Sequence, residues 1–426
     1  MLQFVNVVTF IGFIETLLLF LYAARYYLFS LVSPRKKRSK NPDKTSLDSN
    51  SDPFVSVLLP MYNEANVVDR LMKFCTAFDF PYYEVIVIDD STDETTTKLD
   101  AWRDDPRVTI LHRDSREGWK GGALNVGLEH IDAQSTHTLI LDADFVPPVD
   151  LLQRFLSTFE SDNVVAVQGY QVHDINAEEN WITRGIRIMY SLNNVVELAA
   201  KDRLGLLLPL TGSVYMVRTP ILQKLAFHGG ITEDWEFTLR LYEAGYKVVY
   251  DATLTASAEC SNTIRKFLTQ TARWAEGHTR AFRRHFWTMM RSRFLTAREK
   301  LEFLFQGCLY LNSILVLALS LGGFLMLPSY PYSISRSSTI SSLIFTAINL
   351  SALALAITVA LHRENRLKDV VGMPYTLLLG YLSVPAVAWA SLKGLLTSEG
   401  RFRRTYKTGK ITKPSILKRL MDRFKT

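Results

Sequence analysis

The chain has 426 residues, almost three times the ~150 residues of an ordinary domain, with 48% hydrophobic and 21% charged residues. That apolar content excludes a disordered or collagen-like chain. The net charge of +7 is uneven: residues 401–426 hold ten Lys or Arg against one Asp, so the other 400 residues sum to −2, which argues against a uniformly basic nucleic-acid binder. Cys75, Cys260 and Cys308 are odd in number, widely spaced and in apolar settings. No disulfide framework or zinc spacing appears, as expected of a reducing compartment.

From residue 4 to 32 only Glu15 and Arg25 carry charge, a run longer than the ~20 residues needed to cross a bilayer. Arg35, Lys36, Lys37, Arg38 and Lys40 follow it. A signal peptide carries its charges before the apolar run. Residues 1–33 are therefore predicted to be a membrane anchor whose carboxyl side faces the cytoplasm. Residues 34–53, basic, then polar and rich in chain breakers, read as a linker. Three further apolar runs, 303–327, 339–361 and 373–396, are each long enough to span. Three full spans after a cytoplasmic domain would leave the basic tail outside, against the positive-inside rule. One run is therefore expected to be interfacial or re-entrant, with the run from Phe303 as the first candidate. Before it, Arg280, Arg283, Arg284, Arg291 and Arg293 interleave with Phe282, Phe286, Trp287 and Phe294, the composition of helices lying on a membrane surface. The predicted organisation is anchor 1–33, linker 34–53, soluble domain 54–277, interfacial helices 278–302, membrane helices 303–397 and basic cytosolic tail 398–426.

In the soluble stretch, short apolar runs alternate with helical spacing. Residues 55–59 precede a helical pattern at Val67, Val68, Leu71 and Phe74; residues 85–88 precede a helix around 95–102. A run at 108–111, a helix at 122–131 and a run at 138–141 follow. This alternation predicts an α/β fold with a parallel sheet covered on both faces. Ligands bind outside the carboxyl ends of such strands. Polar groups stand there: Tyr62, Asn63 and Glu64 after the first run, Asp89 to Asp93 after the second, Asp142 and Asp144 after the last. One such cluster is an ordinary Asx-rich turn; three in one sheet would converge on one crevice.

Asp142 and Asp144, two apart at a strand end, are expected on one face, where paired carboxylates repel unless a cation lies between them. A hard divalent ion, Mg²⁺ or Mn²⁺, suits oxygen ligands and would stabilise a departing diphosphate. An isolated D-x-D is common by chance; its place at a strand end raises its weight. Residues 118–125 (GWKGGALN) open a helix, where glycines allow close backbone approach and Lys120 adds charge. A plain glycine-rich helix start is the ordinary explanation, and the spacing matches neither a Walker loop nor a dinucleotide fingerprint. Thr232, Glu233 and Asp234 precede an amphipathic helix, with Thr232 expected to cap it. Acidic enrichment at a helix start accounts for them structurally; chemically, Asp234 would be a general base. Gln270, Arg273 and Trp274 share a predicted helix, where Arg pairs with phosphate and indole stacks on sugar; an interfacial Trp beside a snorkelling Arg is the structural alternative.

In this order, these motifs resemble the processive-type family 2 glycosyltransferases, the membrane group that includes cellulose, glucomannan and hyaluronan synthases and ceramide glucosyltransferases. The resemblance covers residues 53–280 and the flanking membrane segments. It implies a GT-A (Rossmann-like) cytosolic domain and an inverting transfer from a nucleotide sugar, UDP-glucose-like or GDP-mannose. Tyr62, Glu64 and Asp90 would hold the nucleoside, Lys120 the diphosphate, Asp142 and Asp144 the metal-diphosphate, with Asp144 the more direct ligand. Asp234 would be the base, and Gln270, Arg273 and Trp274 would line the acceptor and diphosphate end. Thr211-Gly212-Ser213 loosely matches an acceptor loop. Phe402 to Lys407 resembles the mobile F-x-V-T-x-K gating segment, with Arg404 where Val is expected. Attraction of the basic tail to anionic lipids explains its charge equally well.

Four classes compete: synthesis of a β-linked polysaccharide, transfer of one sugar to a lipid, a catalytically inert scaffold, and a transporter. The intact acidic motifs disfavour the scaffold, and the scarcity of charges in the late apolar runs disfavours a transporter. The expected partners are a nucleotide-sugar donor, a glycan or lipid acceptor and membrane lipids, with no nucleic acid. The expected location is an integral membrane protein with a cytoplasmic catalytic domain, in the plasma membrane if the source is prokaryotic.

Overall fold

The computed structural model describes residues 2–33, 53–159, 164–326, 336–400, 402 and 404–412. The basic cluster at 35–40, almost all of the linker, and the tail from 413 onward lie outside the described residues.

Seven strands form one sheet: β1 (Phe54–Met61), β2 (Tyr83–Asp89), β3 (Val108–His112), β4 (Ser135–Ile140), β5 (Val164–Val172), β6 (Tyr215–Arg218) and β7 (Lys247–Ser257). Their order is β3-β2-β1-β4-β6-β5-β7. β1 lies parallel between β2 and β4, with Leu58 opposite Ile86 and Ile140. The continuous apolar runs become strands because both faces are covered. Leu58, Ile86 and Ile140 pack against Leu124 on one side, while Val57, Leu59 and Val85 pack against Leu71 and Phe155 on the other.

The sheet is mixed, not all parallel as expected from the sequence: β6 runs antiparallel to both β4 and β5. It has four residues, follows the helical segments that span 181–204, and is entered through Gly212 and Val214, both at positive φ. β7 pairs with β5 but bulges, since Gly169 faces Asp251 while Tyr170 faces Thr255.

Among the described residues, three helices are long and apolar enough to cross a membrane: Phe10–Val32, Leu343–Arg363 and Leu367–Leu396. The run from Phe303 is broken, with Ala297–Cys308 and Asn312–Gly322 bent by 46°. Helix Met373–Leu396 touches the soluble domain at both ends: Thr376 Oγ1 donates to the Gly185 carbonyl (3.0 Å), and Arg280 Nη2 donates to Thr397 Oγ1 (2.8 Å). Leu378, Tyr381, Leu382, Trp389, Leu392 and Leu396 form its exposed stripe. The boundary expected at 277/278 falls inside one continuous helix, Ile264–Arg291. Of the aromatics there, Trp287 and Phe294 are exposed, whereas Phe282 and Phe286 pack into the core with Phe303.

Candidate active site

A cleft at the carboxyl ends of β1, β2 and β4 is lined by Tyr62, Glu64, Asp90, Lys120, Asp142, Asp144, Asp234, Gln270, Arg273 and Trp274. Every site residue singled out in the sequence is therefore brought together.

Asp89 and Asp90 at the end of β2 diverge. Asp89 is spent on structure: it accepts from Thr96 Oγ1 (2.7 Å) and the Ser91 amide (3.0 Å), and lies 2.9 Å from His112 Nδ1. Asp90 faces the cleft, held bidentately by Arg113 at 2.6 and 2.8 Å. The neighbouring Arg116 places its guanidinium 3.3 Å over the Tyr62 ring. Neither arginine was singled out in the sequence, because each lies in a loop without a motif.

Gly118, at φ +70°, starts helix Trp119–Glu129 and leaves Lys120 in its first turn. A Cβ at Gly122 would meet the Glu117 carbonyl oxygen at 2.0 Å, so only glycine fits there. Lys120 Nζ donates to the Gly212 carbonyl (2.6 Å) and pairs with Asp142 (2.7 Å) and Glu233 (3.1 Å). One ammonium thus ties three motifs together.

The D-x-D pair does not sit on a strand as expected. β4 ends at Ile140, and Asp142 starts a turn closed by the Phe145 amide on its carbonyl (3.2 Å). The turn sends the two carboxylates to different cations, Asp142 to Lys120 and Asp144 to Lys407 Nζ (2.7 Å). Burial pushes the Asp142 carboxyl up despite Lys120. Burial acts the same way on Asp144, but the Lys407 ammonium outweighs it and holds that carboxyl below its usual range.

Asp234 lies in the first turn of helix Glu233–Glu243. Burial, with the adjacent Glu233 charge, pushes its carboxyl up to about 7. Thr232 precedes this helix without a side-chain cap, contrary to expectation; its side chain instead abuts Gly277, where a Cβ would come within 2.4 Å of it. On helix Ile264–Arg291, Gln270 accepts from Ser261 Oγ (3.0 Å) and Arg273 Nη1 donates to the Ile231 carbonyl (3.2 Å).

The chain returns from the membrane helices to the cleft. Phe402 stacks near Trp119 (6.2 Å between centroids) beneath the Arg273 guanidinium (4.6 Å). Arg404 grips Glu64 at 3.1 and 2.9 Å. The amides of Thr408 and Gly409 donate to Glu259 Oε2 at 3.1 and 3.2 Å. Burial pushes the Glu64 carboxyl up to about 7 against the pull of Arg404. Residues 404–412 are therefore a strap across the cleft rather than a tail projecting from it. Arg403 lies outside the described residues.

Sequence reasoning missed His173 and Tyr190, which line the cleft with rings stacked 3.4 Å apart between centroids. His173 Nδ1 lies 3.1 Å from the Gln171 carbonyl. The available signal was the alternation at the end of β5, where Gln171 and His173 share a face.

A mixed seven-stranded sheet with acidic strand ends facing a lysine-bearing helix start is a fold of the GT-A kind. Residues 56–221 match the family described as Glycosyl transferase family 2. Among curated proteins it resembles glucomannan 4-beta-mannosyltransferase 1 of Oryza sativa subsp. japonica, with 23% identity over 68% of this chain and 60% of that one. It also resembles probable glucomannan 4-beta-mannosyltransferase 10 of Arabidopsis thaliana, with 27% identity over 62% of this chain and 50% of that one. The chain thus spans between half and three-fifths of the length of these relatives. The structure superposes on the mannosyltransferase PcManGT from Pyrobaculum calidifontis, solved in complex with GDP-Man and Mn²⁺. The TM-score is 0.62, with 18% identity over 92% of this chain and 98% of that one. This shared fold includes the membrane-helix region as well as the sheet.

Proposed function

We propose that the chain is an inverting hexosyltransferase that moves a sugar from a nucleoside-diphosphate sugar to a growing β-linked polysaccharide at the membrane. The observation that carries this is the convergence of Asp234, Lys120 and the Asp142/Asp144 turn in one cleft. The names of the curated relatives favour mannose as the sugar, and the solved mannosyltransferase holds GDP-Man, so GDP-mannose is favoured over UDP-glucose as donor.

Asp234 is the base. A carboxylate poised near pH 7 accepts the proton of the attacking acceptor hydroxyl efficiently. The neighbouring Glu233 carboxylate is paired with Lys120, so a single displacement with inversion is the simpler course. Lys120, the first-turn amides behind it and Arg273 stabilise the charge that develops on the leaving diphosphate. Tyr62, under Arg116, together with Glu64 and Asp90, holds the nucleoside. Gln270 and Trp274 orient the acceptor from helix Ile264–Arg291.

A divalent ion, Mg²⁺ or Mn²⁺, fits Asp144 and Asp142. Asp144 is buried, ionised and already faced by an ammonium, so the position accepts a cation. No group of three or more His, Cys, Asp or Glu that could hold a metal stands among the described residues. Such an ion would take its remaining oxygen ligands from the diphosphate and water. Bound there, it supplies Lewis-acid stabilisation to the leaving group.

The catalytic domain is cytoplasmic in this proposal. Helix Met373–Leu396, anchored to that domain at both ends, is then the apolar run that lies along the membrane surface. With that assignment, as with a re-entrant run from Phe303, the strap stays on the cytoplasmic side.

The test supplies radiolabelled GDP- and UDP-sugars with Mn²⁺ to the purified protein in detergent and sizes the product. A high-mass product digested by a β-mannanase is expected. Label confined to an organic-extractable lipid would replace polymer synthesis with single-sugar transfer.

A further inference from the structure

A second cavity, of about 700 Å³, lies behind the cleft. β5 separates the two: Gln171 and His173 line the cleft, whereas Tyr170 and Val172, on the opposite face, line the second cavity. Its other walls are the bulge of β7 around Asp251 to Thr255 and the end of helix Arg336–Arg363.

Its position is at the edge of the apolar layer. Arg363, in its wall, donates to Ser33 Oγ and to the Ser30 carbonyl (3.5 Å). The cavity therefore adjoins the ends of two candidate membrane helices, Phe10–Val32 and Leu343–Arg363.

Its formal charge is one unit positive: Arg187, Arg203, Arg363 and Arg366 line it against Asp202, Asp251 and Glu364. Glu364 accepts from Arg187 (3.0 Å), Arg366 (2.9 Å) and Ser191 Oγ (2.6 Å). Asp202 accepts from the Tyr250 amide (3.0 Å), and Asp251 accepts from the Thr253 amide (2.8 Å). Arg203 is exposed at the rim.

It also holds unmet polar groups. The Tyr250 hydroxyl, on a side chain buried at 3% exposure, has no hydrogen-bond partner among the described residues, and neither does Arg187 Nε. Buried donors left unpaired are costly, and a ligand oxygen would satisfy them.

We propose that this cavity is a binding site for a phosphate ester bearing hydroxyl groups, such as an anionic glycerophospholipid headgroup. Arg203 at the rim supplies the charge for the phosphate, and the Tyr250 hydroxyl bonds to the ligand. The same chemistry could come from a soluble phosphate ester, so the experiment separates the two sources.

Native mass spectrometry of the full chain in detergent would be run with dioleoylphosphatidylglycerol, dioleoylphosphatidylcholine and glycerol 3-phosphate. Wild type would be compared with Tyr250→Phe and Arg203→Gln. One saturable phosphatidylglycerol is expected, bound about tenfold more weakly by each variant, the size of one lost polar contact. Tyr250→Phe should not lower the melting temperature without lipid, because the hydroxyl has no partner to lose among the described residues. Glycerol 3-phosphate displacing the lipid, with the same sensitivity to both variants, would keep the site and assign it a soluble ligand. Equal binding of both lipids that neither variant weakens would overturn the proposal. So would a lower melting temperature of lipid-free Tyr250→Phe, which would make the hydroxyl structural. Binding is the readout, so the result does not depend on which sugar the cleft transfers.

Discussion

The two walls of the cleft are held in different ways. The strand-end wall is fixed by backbone ladders, with Met61 opposite Asp89 in the β1–β2 pair and Asp90 clamped by Arg113. The strap wall has few backbone bonds to the domain. Its hold is Arg404 on Glu64, Lys407 on Asp144, and the Thr408 and Gly409 amides on Glu259. A donor diphosphate and its cation would compete for the groups that the strap occupies. On the proposed function, the ladders of one wall would hold the reacting groups in place, and the ion pairs of the other would give way to a charged substrate.

The largest expected effect falls on the rigid wall. Asp234→Asn should lower transfer by about 10²–10⁴-fold, the usual weight of a general base, while nucleotide binding by calorimetry stays within about threefold of wild type. The wild-type rate should rise with pH and level off above about 7, as the Asp234 carboxyl loses its proton. Turnover retained in the variant would remove Asp234 from the base role.

A middle-sized effect belongs to the strap. In Arg404→Ala/Lys407→Ala, the amides of Thr408 and Gly409 should exchange hydrogen about tenfold faster, because local opening loses its ion-pair restraint. The β1 amides should not change. Equal acceleration in β1 would mean that the two walls are one cooperative unit.

The smallest effect concerns the frame that carries the rigid wall. His285 joins helix Ile264–Arg291 to helix Glu233–Glu243, with Nδ1 2.8 Å from Glu243 and Nε2 3.4 Å from Glu236. Burial alone would lower its pKa, but the two carboxylates outweigh burial and push it up to about 9. A raised folded-state value stabilises fully below the unfolded value of 6.5 and is lost as pH rises through about 9. The melting temperature should therefore fall by about 3 °C over that window, and His285→Gln should flatten the fall. An unchanged slope in the variant would place the pH dependence elsewhere.

The legible part of the site was the part built from strand ends and helix starts. Continuous apolar runs such as 85–88 can be satisfied only as buried strands, and polar residues just beyond them fall at the same sheet edge. Asp142 and Asp144 were found this way, although a turn rather than a strand presents them. The direction of β6 was not legible, because a four-residue strand carries too little periodicity to betray its neighbours. His173 and Tyr190 escaped for a similar reason: a stack between a strand end and a helix leaves no spacing in the chain.

By itself, the sequence determined which segments must leave water, which must form buried strands, and which acidic and basic residues gather at the strand ends, because all three follow from local hydrophobic pattern. Only the tertiary structure decided which carboxylate meets which cation. Lys407 reaches Asp144 across 263 positions, and Arg404 reaches Glu64 across 340. Contacts that distant depend on the whole chain closing on itself, and no local pattern records them.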